Sequence, residues 1–98
     1  MKIEVLNFRA YQKNTLKGFV TLVLGQSGLK IHESYVHSKN GRWWVAFPAR
    51  SFEGRDGQTH WQSLIEFGSD DSRARFQEQA IAALRARIPE IFQEEGVG

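Results

Sequence analysis

The chain is predicted to be α+β, an antiparallel β-sheet of four or five strands followed by one C-terminal helix packed on the sheet. Three observations predict it. Residues 3–67 fall into runs rich in β-branched and aromatic residues, separated by turn residues. Asn40-Gly41 interrupts two such runs and suits a two-residue type I′ turn, which needs positive φ at both central positions. From Ser69 onward the apolar residues recur at helical spacing instead.

Residues 3–12 read as the first strand, with Leu6, Phe8 and Ala10 on one face and Val5, Arg9 and Tyr11 on the other. Lys13-Asn14-Thr15 supplies a turn, and residues 16–24 form a second strand rich in Val, Phe, Thr and Leu. Gly25-Gln26-Ser27-Gly28 breaks it before a third strand at 29–38. The Asn40-Gly41 turn leads to a fourth strand, Arg42 to Arg50. Residues 51–59, with Gly54 and Gly57, read as a mobile loop, and 60–67 as a possible fifth strand. Ser69 is a fitting N-cap, and Asp70 and Asp71 place negative charge in the first turn, where the helix dipole favours it. Phe76, Ala80, Ala83, Leu84 and Ile88 make the apolar stripe, and Pro89 ends the helix. The tail from about 93 to 98 is expected to fray.

At 98 residues there is room for a single domain with one modest core. No cysteine is present, which excludes a disulfide framework, a thiolate metal site and a cysteine nucleophile. No apolar run approaches the length needed to span a bilayer, and the opening residues run straight into an alternating pattern without a visible leader. A cytoplasmic protein without a membrane partner is the expectation. Charge is unevenly distributed: residues 1–60 carry nine Lys/Arg against four Asp/Glu, a balance of +5, and residues 61–98 carry four against seven, a balance of −3. A locally basic surface favours a polyanionic partner more than the total of +2 suggests.

The hairpin register carries the functional argument. With Asn40-Gly41 as a two-residue loop, Lys39 lies opposite Arg42, Ser38 opposite Trp43, His37 opposite Trp44, Val36 opposite Val45, Tyr35 opposite Ala46 and Ser34 opposite Phe47. One face then holds Val36, Trp43, Val45 and Phe47, a core face. The other holds Tyr35, His37, Lys39, Arg42 and Trp44, with Arg50 further along the strand. Rings interleaved with cations suit single-stranded DNA or RNA, because rings stack on unpaired bases while cations meet phosphates. Packing of Tyr35 and Trp44 against a partner subunit is the competing account. Val20, Leu22 and Leu24 form an apolar face on the second strand, opposite Phe19 and Val23, and are expected to need cover from a second copy of the chain. A protein-interaction module working through an exposed strand edge, without nucleic acid, stays open as the alternative.

Catalysis finds no support in the pattern. The nucleophile-elbow spacing, the phosphate loop and the dinucleotide fingerprint are all missing, and no cofactor is implied. His32 and His37 differ by an odd number and should point to opposite faces of one strand, so no shared metal is expected.

The run from Gly28 to Val36, the Asn40-Gly41 turn, the stretch Trp44-Val45-Ala46-Phe47-Pro48-Ala49-Arg50 and the later Asp56-Gly57 together resemble the SpoVG family of bacterial nucleic-acid-binding regulators. The resemblance spans most of residues 3–88 and is sharpest over 28–57. It implies a small sheet-plus-helix domain that forms homodimers, binds DNA or RNA and acts as a regulator or DNA-transaction accessory factor. By the same resemblance, basic residues near the C-terminal helix contribute, and Arg85 and Arg87 are the nearest equivalents. Trp43-Trp44, the basic hairpin tip and the acidic tail depart from that family's pattern. The order of four strands and a helix is also similar to the positive-cofactor-four coactivator family, which binds single-stranded DNA on its sheet as a dimer.

Overall fold

The structure, a computed structural model, describes residues 2–96, with side chains as far as Gln93; of the tail expected to fray, residues 93–96 belong to a 3-10 segment and 97–98 lie outside the described residues. Four strands, β1 (Ile3–Lys13), β2 (Leu16–Leu24), β3 (Leu29–Lys39) and β4 (Arg42–Ala46), form an antiparallel sheet in sequence order. The turns are those the sequence requires. Asn14 has φ of 56°, and Asn40 and Gly41 have φ of 54° and 78°, the two left-handed residues of a type I′ loop. Of the six pairs expected from that loop, five are present, from Lys39↔Arg42 to Tyr35↔Ala46, and the sixth, Ser34↔Phe47, is absent because β4 ends at Ala46.

The α-helix α1 (Asp70–Arg87) begins at the N-cap Ser69, whose Oγ accepts the Ser72 N–H at 3.1 Å. It ends at Ile88, just before Pro89, and a 3-10 segment, Pro89–Gly96, follows. Phe76, Ala80 and Leu84 are fully buried on the sheet, where they meet Ile3, Val5, Val20, Leu22, Val36 and Val45. Phe92 closes the end of this core with its ring centroid 4.3 Å from that of Trp43.

Helix placement corrects one expectation. Val20 is 1% exposed and Leu22 fully buried, both beneath the chain's own helix, and Leu24 packs half-buried beside them. The cover of Val20 and Leu22 is intramolecular, so these two residues are not a dimer surface.

Irregularities in the ladder correct three more. The β1–β2 register shifts between Val5 and Asn7, which brings Val5 into the core with Ile3 instead of grouping it with Arg9 and Tyr11. The β2–β3 register shifts between Val20 and Leu22, where Glu33 takes φ of 54°. This bulge lets Ile31 and Ser34, three residues apart, both face the core. It also reverses parity, so His32 lies beside Arg9 and Phe19 on the same face as His37. Pro48 supplies the last change. It has no N–H to give to the ladder, and β4 stops at Ala46.

Beyond Pro48 the chain builds a separate hairpin. Strands β5 (Ala49–Glu53) and β6 (Thr59–Ser63) pair with each other, with Arg50↔Gln62, Ser51↔Trp61 and Phe52↔His60. Part of the predicted mobile loop is therefore strand, and the predicted fifth strand is shorter than expected and belongs to a second sheet. The turn is tied by Gly54 N–H to Gln58 O at 2.9 Å. Asp56 accepts the Gln58 N–H at 3.0 Å and lies 3.0 Å from His60 Nε2, contacts that hold its carboxyl below the usual range.

Candidate nucleic-acid interface

Covering one face of a four-stranded sheet with a helix leaves the other face open, and here that face is aromatic. Parity about the bulges brings Tyr11 from β1, Phe19 from β2, Tyr35 and His37 from β3 and Trp44 from β4 into one row. Successive ring centroids lie 5.7, 5.5, 6.3 and 5.3 Å apart. The first three contacts are tilted or edge-on, whereas His37 and Trp44 lie nearly parallel, 10° between planes. Trp44 is thus held flat at one end of the row by the imidazole beside it.

His37 is fixed from its other side by a 3.0 Å hydrogen bond between Nδ1 and Thr15 Oγ1. Partial burial lowers its pKa from 6.5, so the neutral ring is the favoured partner of Trp44. Between pH 6.5 and the lower folded value, the unfolded chain binds more protons than the folded one. The contribution of His37 to stability is therefore complete above pH 6.5 and declines as the pH falls through that window. Urea midpoints compared at pH 7.5 and pH 5.5 should fall more in the wild type than in His37→Gln.

Cations border the row. The Arg9 guanidinium lies 4.8 Å from the Phe19 ring centroid and is paired with Glu33 at 2.9 Å. Lys39 and Arg42, both exposed, face each other at the tip of the β3–β4 hairpin, on the same side as His37 and Trp44. An extended strand of nucleotides crossing the sheet would find rings for its bases and these three cations for its phosphates.

Of the eight residues expected to contact nucleic acid, Tyr35, His37 and Trp44 are in mutual succession, and Lys39 and Arg42 extend their face. The other three lie elsewhere. Arg50 is on β5, not on β4, and donates to Gln62 Oε1 at 2.8 Å. Arg85 and Arg87 sit on the last turn of α1, the layer behind the sheet, with the Arg85 guanidinium 4.4 Å from the Phe92 ring centroid. Arg9, Tyr11 and Phe19 join the face without having been singled out. Their alternation was readable, but which side the helix would cover was not.

The edge of this face is closed by the helix. Val45 N–H donates to Gln77 Oε1 at 2.9 Å, and Gln77 Nε2 donates to Val45 O at 2.8 Å. One side-chain amide thus occupies both backbone groups of Val45, two of those that a fifth strand would have used.

This is an α+β sheet domain with a helix on one face and an uncovered aromatic row on the other. No known protein family, curated protein or solved structure matches the chain. Among the described residues no helix is long and apolar enough to cross a membrane.

Proposed function

We propose that the chain binds single-stranded DNA or RNA across the open face of its sheet, with Tyr35, Trp44 and the neighbouring rings stacking on bases and Lys39, Arg42 and Arg9 meeting phosphates. The observation that carries this reading is the continuous row of rings over four strands, left uncovered by the helix. Tyr35 and Trp44 are half-buried by neighbouring rings, so each is held in place while a face stays accessible. That lowers the ordering cost of stacking, worth about 1–3 kcal/mol per base. The SpoVG resemblance over residues 28–57 supports the same class of ligand and a role as a small dimeric regulator or accessory factor.

Titration of fluorescent single-stranded DNA, RNA and duplex DNA against salt tests the reading. With three phosphate contacts, log affinity should fall against log salt with a slope of about −2 for single strands. Duplex should bind more weakly, since its bases offer no free faces to the row. Equal affinity for duplex, or no binding to any of the three at low salt, would refute the proposal.

A further inference from the structure

Two bulges converge on one position of β2. The β1–β2 register slips between Val5 and Asn7, and the β2–β3 register between Val20 and Leu22. Between them lies Thr21, paired with Asn7 on one side and set against both His32 and Glu33 on the other. Alternation along β2 puts Thr21 on the open face beside Phe19, where its small side chain interrupts the floor of rings. The gap is a depression of about 330 Å³, walled by Asn7, Arg9, Phe19, His32 and Glu33. Its chemistry is polar where that of the row is aromatic. Arg9 Nη2 donates to Glu33 Oε2 at 2.9 Å, and the side chains of Asn7 and His32 have no hydrogen-bond partner among the described residues.

Glu33 is the unexpected member. Its φ of 54° is left-handed, a conformation that glycine or asparagine takes at a bulge with less strain. Its ion pair with Arg9 leaves the two side chains 55% and 67% exposed, and a pair so open to water adds little stability. A carboxylate on a face that meets phosphates also works against affinity. Backbone preference, stability and phosphate binding all leave this residue unexplained. An acceptor for the N–H groups of a base explains it.

We infer that this depression reads one base of the bound strand and selects guanine, with Glu33 accepting from N1–H and the 2-amino group and Asn7 donating to O6. The inference rests on the proposed binding of single strands. Guanine alone carries two adjacent donors on its Watson–Crick edge. Adenine and cytosine offer one amino donor beside an acceptor, and thymine or uracil one N–H between two acceptors. A single strand leaves that edge unpaired, and Phe19 supplies a ring on which the base stacks. Arg9 holds the carboxylate in place with one N–H of its fork, and the others remain for a phosphate.

Fluorescence anisotropy at fixed low salt decides it, with single strands of about eight thymidines whose central residue is dT, dG, dA, dC or deoxyinosine. The dG strand should bind about five- to 150-fold tighter than the all-dT strand, the worth of one bidentate base contact. Deoxyinosine lacks the 2-amino group and should lose most of that gain. A 7-deaza-dG strand, altered only on the Hoogsteen edge, should keep it. Glu33→Gln should bind the all-dT strand at least as tightly as wild type and lose most of the dG preference, and Glu33→Gly, which suits the left-handed backbone, should behave likewise. Equal affinity for all five strands in wild type would overturn the inference and leave the proposed function standing. A dG preference that survives in both variants would overturn it as well, moving the readout to Arg9. No binding to any strand would overturn both the inference and the proposed function.

Discussion

Phe76→Ala is expected to lower the free energy of unfolding by about 3–5 kcal/mol, measured by urea denaturation. Phe76 is fully buried at the centre of α1's inner face, and its ring lies 5.0 Å from that of Phe47 and 5.1 Å from that of Phe67. Those two rings are also in contact, at 5.5 Å, so truncation would empty the middle of a three-ring cluster whose other members come from the segments flanking the β5–β6 hairpin. A domain of this size has only about 5–15 kcal/mol in total, so the variant should sit close to unfolding at 37 °C. Phe76→Leu should recover most of the loss. If Phe76→Ala changes the midpoint no more than an exposed substitution such as Gln79→Ala, the helix does not pack on the sheet as described.

The two adjacent tryptophans should part company. Trp43→Ala is expected to cost about 3 kcal/mol of stability, toward the low end for a core aromatic because the side chain is only partly buried. Its ring fills the space against Phe92, and its Nε1 is buried without a hydrogen-bond partner. Trp43→Phe should therefore be much milder, keeping ring contact while removing a polar atom that has no partner. Trp44→Ala should leave the urea midpoint within about 1 kcal/mol of wild type and weaken single-strand binding by about 1–3 kcal/mol, roughly five- to 150-fold. Exchange of these outcomes between the two positions would mean that the β3–β4 register is displaced by one residue. Trp44→Ala with full binding would move the ligand off the open face.

That register was legible because one dipeptide determines it. Asn40 and Gly41 both tolerate left-handed φ, and strict alternation from a two-residue turn then assigns every side chain of β3 and β4 down to Tyr35 and Ala46. The helix was equally legible, since its cap, its stripe and its proline stop all act locally. Alternation failed where a strand slips by one residue. Glu33 has no sequence mark of a left-handed bulge, yet it decides that Ile31 and Ser34 share a face. Pro48 was visible, but a proline also suits a strand edge, and only the pairing of Ala49–Glu53 with Thr59–Ser63 shows that the chain leaves the main sheet there. Which face of β2 the helix covers is a tertiary outcome. Phe19 and Val20 are both apolar, and nothing local distinguishes an open aromatic side from a buried aliphatic one. Hence the sequence shows only half of the row of rings, and it does not tell that the chain's own helix covers Val20 and Leu22.

The amide of Gln77 gives the last strand a property that edge strands ordinarily lack. Edge strands breathe, and a ligand resting on one would lose its outermost foothold whenever the strand peels away. By gripping Val45 on both its N–H and its C=O, Gln77 splices the rim of the sheet to a helix anchored by Phe76, Ala80 and Leu84. Trp44, the neighbour of Val45, can then swing outward only when the helix itself loosens. The terminal platform of the aromatic row thus inherits the persistence of the hydrophobic core, although it stands at the margin of the molecule.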